Sequence, residues 1–321
     1  MLLRPRNFHH RDIDPKRQRL RDIAQGTIAA IKNGYVDLRD VSSNMTTCCM
    51  ITSDDTIRDT DYFKPGSLRL KYWRQGPPAA VAAQHHGNQP KAIVYFKRMS
   101  TLQGAHFLSQ QSPASRIGIL NFASATQPGG GFINGASAQE ESIARSSTLS
   151  LSLQTPQARP FYGLHNRDSR GGYYSHAMIY SPGVTIFRDD DGNWLCPYHV
   201  DIVTSPAVNA GLVRKIRCGT SFETENRILS TMEERIGRIL ALFERKGIRN
   251  LVLGSFGTGV FQNEVVPLAK IWGELLVAPG ARFADSFDQV IFAIPDGYTE
   301  REFKSGFSAA VNPPKPWYPR L

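Results

Sequence analysis

The sequence predicts an α/β domain in which helices pack on a mixed β-sheet. From residue 91 onward, short apolar runs rich in β-forming residues alternate with helical segments, an order typical of layered α/β proteins. Two neighbouring strands in the middle of the chain are joined by a turn, which adds an antiparallel section. With 321 residues, of which 41% are hydrophobic, the chain can bury one large core. No internal repeat or low-complexity linker divides it, so we expect one domain.

The first predicted element is a helix from Asp14 to about Asn33. Asp14 suits an N-cap, and Pro15 suits the first helical position. One side of this helix is apolar and carries Leu20, Ile23, Ala24, Ile28 and Ile31. The other side is basic and carries Lys16, Arg17, Arg19 and Arg21. An ordinary solvated face is the favoured interpretation of this basic side, ahead of a binding arm.

The remaining elements follow a weakly patterned stretch, 41–89, with loops at 76–78 and at the paired histidines of 85–87. Strands are predicted at 92–96, 117–122, 177–187, 199–204, 250–253 and 289–294. Helices are predicted at 100–110, 137–154, 223–246 and 265–276. The Asp-Asp-Asp-Gly run at 189–192 is interpreted as a solvated hairpin turn in preference to a metal site. Prolines at 313, 314, 316 and 319 predict an extended tail.

Charge and composition restrict the setting of the protein. A net charge of +10 favours polyanionic partners through long-range attraction but leaves the identity of the polyanion open. The four cysteines lack metal-ligand spacing, which indicates reduced thiols. No apolar run approaches the roughly 20 residues of a membrane helix, and the first six residues carry charges where a signal peptide needs an apolar stretch. We therefore expect an intracellular protein without a membrane partner.

Two glycine-rich loops are each predicted to connect a strand to a helix. The first, 121–132, contains Gly129, Gly130 and Gly131, and the second, 254–263, reads GSFGTGVFQN. Glycine lets a backbone approach a ligand closely and adopt conformations closed to other residues. Amide N–H groups in such loops, with the helix N-terminus that follows, favour a phosphate. The second loop is neither a Walker A loop nor a dinucleotide fingerprint. Two such loops in one sheet could hold the two halves of a nucleotide diphosphate.

The run Gln139-Glu140-Glu141 starts eight positions beyond the third glycine. Alone, such a carboxylate pair is typical of an exposed helix start. Beside a bound phosphate, burial and anionic neighbours favour the protonated carboxyl, which could act as an acid near neutral pH. Neighbouring helix positions point about 100° apart, so the two carboxylates cannot readily straddle one glycosidic bond. One is expected to handle the proton and the other to orient the sugar.

The three glycines followed by Gln-Glu-Glu resemble the signature of poly(ADP-ribose) glycohydrolases, in their compact microbial-type branch. The similar runs lie between about Arg11 and Ile294 and include YSPGV at 180–184, FRDDDG at 187–192, TSPAVNAG at 204–211 and GTGVFQN at 257–263. The resemblance implies a macrodomain-like three-layer α/β/α mixed sheet at 91–298, with an N-terminal helical extension at 1–90 and a Pro-rich tail at 299–321. It implies hydrolysis of the ribose–ribose bonds of poly(ADP-ribose), with neither a cofactor nor a metal.

The resemblance also implies roles for individual residues. Glu141 matches the catalytic acid of the family, and Glu140 matches the carboxylate that orients the ribose. Glycines 129–131 match the first diphosphate loop, residues 255–260 the second, and Phe261 the aromatic residue that positions the terminal ribose. Ser124 and Gln127 stand where relatives often carry Asn. The expected substrate contacts are Ser124, Gly129, Gly130, Gly131, Phe132, Gln139, Ser255, Phe256, Gly257, Thr258, Gly259, Val260, Phe261 and Asn263.

The expected partners are ADP-ribose, poly(ADP-ribose) and poly-ADP-ribosylated proteins, with the chain acting as a monomer. A macrodomain that only reads ADP-ribose is one alternative, although such a reader has no need of a shielded acid. A second alternative hydrolyses mono-ADP-ribose on proteins or ADP-ribose phosphate esters, and it does not require the Gln-Glu-Glu run. Nucleic-acid binding rests on the net charge alone, since no aromatic-basic recognition motif accompanies it. No specific nucleic acid is therefore expected.

Overall fold

A computed structural model of the protein describes residues 14–39, 46–76 and 92–311. Within these residues the strands are β1 (Tyr35–Arg39), β2 (Thr46–Met50), β3 (Asp61–Phe63), β4 (Ile93–Lys97), β5 (Ile117–Phe122), β6 (Met178–Arg188), β7 (Trp194–Ser205), β8 (Asn250–Leu253) and β9 (Gln289–Ala293). The α-helices are α1 (Pro15–Asn33), α2 (Asp54–Asp59), α3 (Leu68–Lys71), α4 (Thr101–Gln111), α5 (Gln139–Ser146), α6 (Leu149–Leu153), α7 (Arg159–Arg167), α8 (Ala210–Ile216), α9 (Phe222–Arg245), α10 (Val265–Leu276) and α11 (Gly297–Val311).

The central feature is a seven-stranded mixed sheet in the order β3-β6-β7-β5-β8-β9-β4. Strands β7, β5, β8, β9 and β4 run parallel, whereas β6 is antiparallel to both β3 and β7. Because β5 and β8 are parallel neighbours, their carboxyl ends meet at the same edge of the sheet. Both glycine-rich loops leave the sheet at this edge, which is where α/β proteins commonly bind ligands.

Helices cover both faces of the sheet. Successive strand residues point to opposite sides, and apolar residues on each side pack against a different set of helices. Leu120 and Leu251 belong to one core cluster, together with residues of α9, α10 and α11. Ile119 and Val252 belong to a second cluster, together with residues of α4, α5, α6 and α7. This three-layer α/β/α arrangement confirms the predicted fold class.

Several predicted elements are found at their expected places. The first helix begins after Asp14, whose side chain accepts a hydrogen bond from the Lys16 N–H. The helix predicted at 265–276 has the same bounds in the structure. The predicted helix at 137–154 is wrong in its continuity, because Ser147 and Thr148 separate α5 from α6. There the Thr148 N–H donates to the Thr185 carbonyl of β6, and this tertiary contact replaces the helical hydrogen bond.

The two ends of the chain also differ from expectation. Residues 299–311, which were assigned to an extended tail, lie in α11, where Phe303 and Phe307 pack into the core. The N-terminal extension is not only helical, since β1 and β2 form a separate two-stranded sheet and β3 joins the central sheet. The paired histidines at 85–86 and the prolines after 312 lie outside the described residues. Across 14–39, 46–76 and 92–311, no helix has the length and apolar character needed to cross a membrane.

Candidate active site

A cavity of about 570 Å³ opens at the carboxyl edge of β5 and β8. Its walls come from the start of α4, both glycine-rich loops, the first turn of α5, the tip of the β6–β7 hairpin and the segment after β9. The lining residues include Ser124, Gln139, Glu140, Glu141, Asp190, Ser255, Gly257, Gly259, Val260 and Phe261. The first loop reaches the cavity through residues 122–124, beside the predicted carboxylate pair and the second loop. The expected contacts Gly129, Gly130, Gly131 and Thr258 are not among the lining residues.

The first glycine-rich loop requires glycine for two separate reasons. Gly129 and Gly130 have φ angles of 70° and 58°, a left-handed conformation that disfavours other residues. A Cβ on Gly130 would lie only 2.3 Å from Glu141 Oε1 and 3.2 Å from Glu140 Oε2. The missing side chain of Gly130 thus leaves room for both carboxylates.

Glu141 lies in the first turn of α5 and is half-buried at the cavity wall. Its Oε1 accepts a hydrogen bond of 2.9 Å from the N–H of Gly131. This contact joins the glycine-rich loop to the start of the helix and fixes the direction of the carboxylate. The N-terminal end of a helix also favours a negatively charged side chain, so this position in α5 suits a carboxylate.

Glu140 is 2% exposed, and both of its oxygens are held by the protein. Oε2 accepts a 2.6 Å hydrogen bond from the Ser124 N–H, and Oε1 accepts one of 3.2 Å from Asn121 Nδ2. Burial raises the pKa of Glu140 to about 8, and nearby Glu141 acts in the same direction, although the two hydrogen bonds favour the charged form. The carboxyl whose pKa this site raises is therefore the one predicted to orient the ribose.

Gln139 attaches the first turn of α5 to the end of β5. Its Oε1 accepts from the Phe122 N–H at 2.8 Å, and its Nε2 donates to the Leu120 carbonyl at 2.8 Å and to Thr101 Oγ1 at 3.2 Å. Both ends of the side-chain amide are thus engaged by the protein. These bonds position the two glutamates that follow, and the expected contact of Gln139 with the substrate stays a prediction because the residue also lines the cavity.

The side chain of Asn263 stabilises the second glycine-rich loop through hydrogen bonds. Asn263 Nδ2 donates to the carbonyls of Val208 and Gly257, at 2.7 and 2.9 Å. Gly257 has a φ of 81°, and a Cβ there would lie 2.4 Å from the Cβ of Ala207. With Thr258 Oγ1 bonded to the Ser255 carbonyl, the loop presents Ser255, Gly257, Gly259, Val260 and Phe261 to the cavity.

Three of the expected substrate contacts have side chains that are buried in the protein. Phe132 is 3% exposed and packs with Ala24 of α1 and Ala144 of α5. Phe256 is fully buried in the main core, and Asn263 is engaged beneath its loop. These side chains pack inside the protein, so a contact with the substrate stays a prediction for their backbone atoms only.

Two polar residues of the site were missed by the sequence reasoning. Asp190, at the tip of the β6–β7 hairpin, lines the cavity and accepts hydrogen bonds from Ser100 Oγ and Ser142 Oγ. The turn at 189–192 was predicted correctly, but its contact with residues some 50 and 90 positions away had no local signal. Asn121 was part of the first loop motif, and its end-of-strand position was the only sign of its contact with Glu140.

The fold and the site together define a macrodomain-like hydrolase, in which a covered mixed sheet carries two glycine-rich loops and a carboxylate pair at one edge. The family model "Microbial-type PARG, catalytic domain" matches residues 24–189, just over half of the chain. The chain belongs to this family of poly(ADP-ribose) glycohydrolases, which confirms the resemblance seen in the sequence. It is accordingly a glycosidase that acts on poly(ADP-ribose).

Solved structures of bacterial poly(ADP-ribose) glycohydrolases are similar over most of the chain. The enzyme from Thermomonospora curvata is 32% identical, with a TM-score of 0.74 over 91% of this chain and 99% of that one. The same enzyme bound to the inhibitor ADP-HPD gives a TM-score of 0.72. The enzyme from Deinococcus radiodurans in complex with ADP-ribose is 35% identical, with a TM-score of 0.66 over 79% of this chain and 94% of that one. The comparison with curated proteins found no match.

Proposed function

We propose that this chain releases ADP-ribose from poly(ADP-ribose) with Glu141 as the general acid and base. The observation that carries the proposal is the position of the Glu141 carboxylate, which faces the cavity beside the first loop and is held there by the Gly131 N–H. Solved relatives bind ADP-ribose or the inhibitor ADP-HPD. At 32–35% identity to those enzymes, we place the same ligand between the two loops of this chain.

The two loops are suited to the diphosphate of ADP-ribose. The second loop brings the backbone of Ser255, Gly257, Gly259 and Val260 to the cavity, and α5 and α10 begin shortly after the two loops. Fixed N–H dipoles hold a diphosphate with little reorganisation. The adjacent carboxylates then lie at the ribose end of the ligand, and Phe261 packs against that ribose from the second loop.

The reaction needs two proton transfers, one from Glu141 and one to it. Protonated Glu141 gives its proton to the departing 2′-oxygen as the C1″–O2′ bond breaks and positive charge develops on the ribose. The resulting carboxylate then takes a proton from a water molecule whose oxygen bonds to C1″. The products are ADP-ribose and a polymer shortened by one unit, and Glu141 is again protonated.

Glu140 orients the ribose through hydrogen bonds to its hydroxyl groups. With its pKa raised to about 8, the buried carboxyl is largely protonated at neutral pH and can both donate and accept. Asn121 and Ser124 fix its plane, so it stays in place while the neighbouring carboxylate exchanges its proton. The different surroundings of the two glutamates separate their roles.

Incubation of the protein with poly(ADP-ribose), followed by chromatography of the small products, tests this activity. Free ADP-ribose should accumulate with time. Release of ADP-ribose from a protein that carries a single ADP-ribose on a side chain should be much slower. Binding without any release would identify a reader of ADP-ribose. Faster release from the singly modified protein would identify a mono-ADP-ribosyl hydrolase.

A further inference from the structure

The basic side of α1, interpreted from sequence as a solvated face, contacts the first glycine-rich loop. Arg17 Nε and Arg21 Nε both donate to the carbonyl oxygen of Asn134, at 2.9 and 3.2 Å. Like charges four residues apart on a helix repel each other. Their convergence on one neutral carbonyl therefore indicates a specific contact, because solvated arginines would separate.

Other contacts join the same helix to the loop and to α5. The backbone of Arg17 lies so close to Gly135 that a Cβ on this glycine would be 2.3 Å from the Arg17 carbonyl oxygen. Further along α1, Ala24 packs against Phe132 and Ala144. Buried Thr27 donates a hydrogen bond through Oγ1 to the carbonyl of Arg145 near the end of α5. Helix α1 thus contacts both α5, which carries Glu141, and the glycine-rich loop, which donates a hydrogen bond to it.

A short chain of hydrogen bonds connects the two arginines to Glu141. Asn134 ends a single 3₁₀ turn, and its own N–H donates to the Gly131 carbonyl at 2.9 Å, as does the Ala136 N–H at 3.2 Å. These bonds fix the orientation of Gly131, whose N–H donates to Glu141 Oε1. A movement of Asn134 would therefore shift Gly131, three residues earlier, and with it the hydrogen bond to the Glu141 carboxylate.

We infer that Arg17 and Arg21 are positioning residues for Glu141, which they hold in its reactive orientation by fixing the turn that follows the glycine loop. This inference rests on the proposed role of Glu141 as the acid. It assigns the N-terminal helix to the catalytic apparatus, although neither arginine lines the cavity. The chemistry stays with Glu141, and the arginines act only through the position of its hydrogen-bond partner.

The test compares turnover and ligand binding in the double variant Arg17→Ala/Arg21→Ala. Because a shift of about 1 Å in a catalytic group can cost about 100-fold in rate, we expect kcat on poly(ADP-ribose) to fall at least about 10-fold. The Kd for ADP-ribose, measured by calorimetry, should change less than about 3-fold. The double lysine variant, which keeps one donor at each position, should recover part of kcat. Lys16→Ala/Lys32→Ala removes the same charge from exposed positions of α1 and should match the parent protein.

Two results would overturn the inference. One is a double alanine variant that is folded and keeps kcat within about 2-fold of the parent. The other is an equal loss of kcat and of ADP-ribose affinity without recovery by lysine, since that describes general damage to the loop. If the double variant is unfolded in a thermal melt, the two single alanine variants carry the same criteria. Glu141→Gln, assayed in parallel, separates the two proposals: an active Glu141→Gln refutes the role of Glu141 itself, whereas an inactive one with a fully active arginine variant refutes only the positioning role.

Discussion

Replacement of Gly130 by alanine should remove most of the activity while leaving most of the stability. The added Cβ would lie 2.3 Å from Glu141 Oε1 and 2.8 Å from its Cδ, whereas real Cβ atoms stay at least about 3.0 Å from such neighbours. The carboxylate must therefore move by about 0.7 Å or more, and a displacement approaching 1 Å costs about 100-fold in rate. Because the obstructed atoms are the end of a flexible side chain, the fold can adapt. The remaining cost is that of a left-handed alanine, about 1–2 kcal/mol.

Gly131→Ala provides the matched control in the same loop. Its φ of −95° is open to alanine, and its Cβ would lie 3.9 Å from Glu141 Oε1 and 3.0 Å from the Cβ of Ala136. Steady-state release of ADP-ribose and urea unfolding should be measured for both variants. We expect a kcat loss of about 100-fold for Gly130→Ala and a much smaller loss for Gly131→Ala. Equal kcat values for Gly130→Ala and the parent protein, with both folded, would refute the packing of the two carboxylates around Gly130.

Three further predictions follow from the same geometry. The first concerns Glu140→Gln. In the parent protein the pKa of Glu140 is about 8 when folded and near 4.5 when unfolded, so the free energy of unfolding falls as pH rises from about 4.5 to 8. The variant lacks that loss, and its stability relative to the parent should grow by about 1 kcal/mol per pH unit between pH 5 and 7.5 in urea titrations; a constant difference would contradict the raised pKa. Gln139→Ala leaves the Phe122 N–H and the Leu120 carbonyl without their partner and should cost about 1–3 kcal/mol in the same assay. Gly257→Ala places a Cβ 2.4 Å from Ala207 and should weaken ADP-ribose binding by about 10-fold or more in calorimetry, and unchanged affinity would show that the second loop does not hold the ligand.

The bounds of some helices could be predicted from the sequence because capping residues and apolar periodicity determine them locally. Asp14 and Pro15 mark the start of α1, and the apolar period of α10 sets its bounds. The break after α5 has a tertiary cause, because Thr148 bonds to Thr185 of β6. No pattern within 137–154 could have shown it.

The site shows the same division between local and distant information. The three glycines and the Gln-Glu-Glu run could be located from sequence because the conformation and the chemistry restrict residue type there. The functions of Phe132 and Phe256 could not be read in this way, since an aromatic residue beside a glycine can face either a ligand or the core. Asp190 reaches the cavity only because the β6–β7 hairpin folds toward Ser100 and Ser142. Such contacts depend on the assembled sheet.

The role of Glu141 is tested most directly by the rate at which Glu141→Gln releases ADP-ribose from poly(ADP-ribose). Glutamine keeps the size of the side chain and can still accept the Gly131 N–H, but it cannot donate and recover the proton that the reaction needs. We expect turnover to fall by at least about 1000-fold, within the range that acid–base catalysis contributes, while the Kd for ADP-ribose stays within about 3-fold. A variant that binds ADP-ribose normally and retains most of its turnover would contradict the assignment of Glu141 as the catalytic acid.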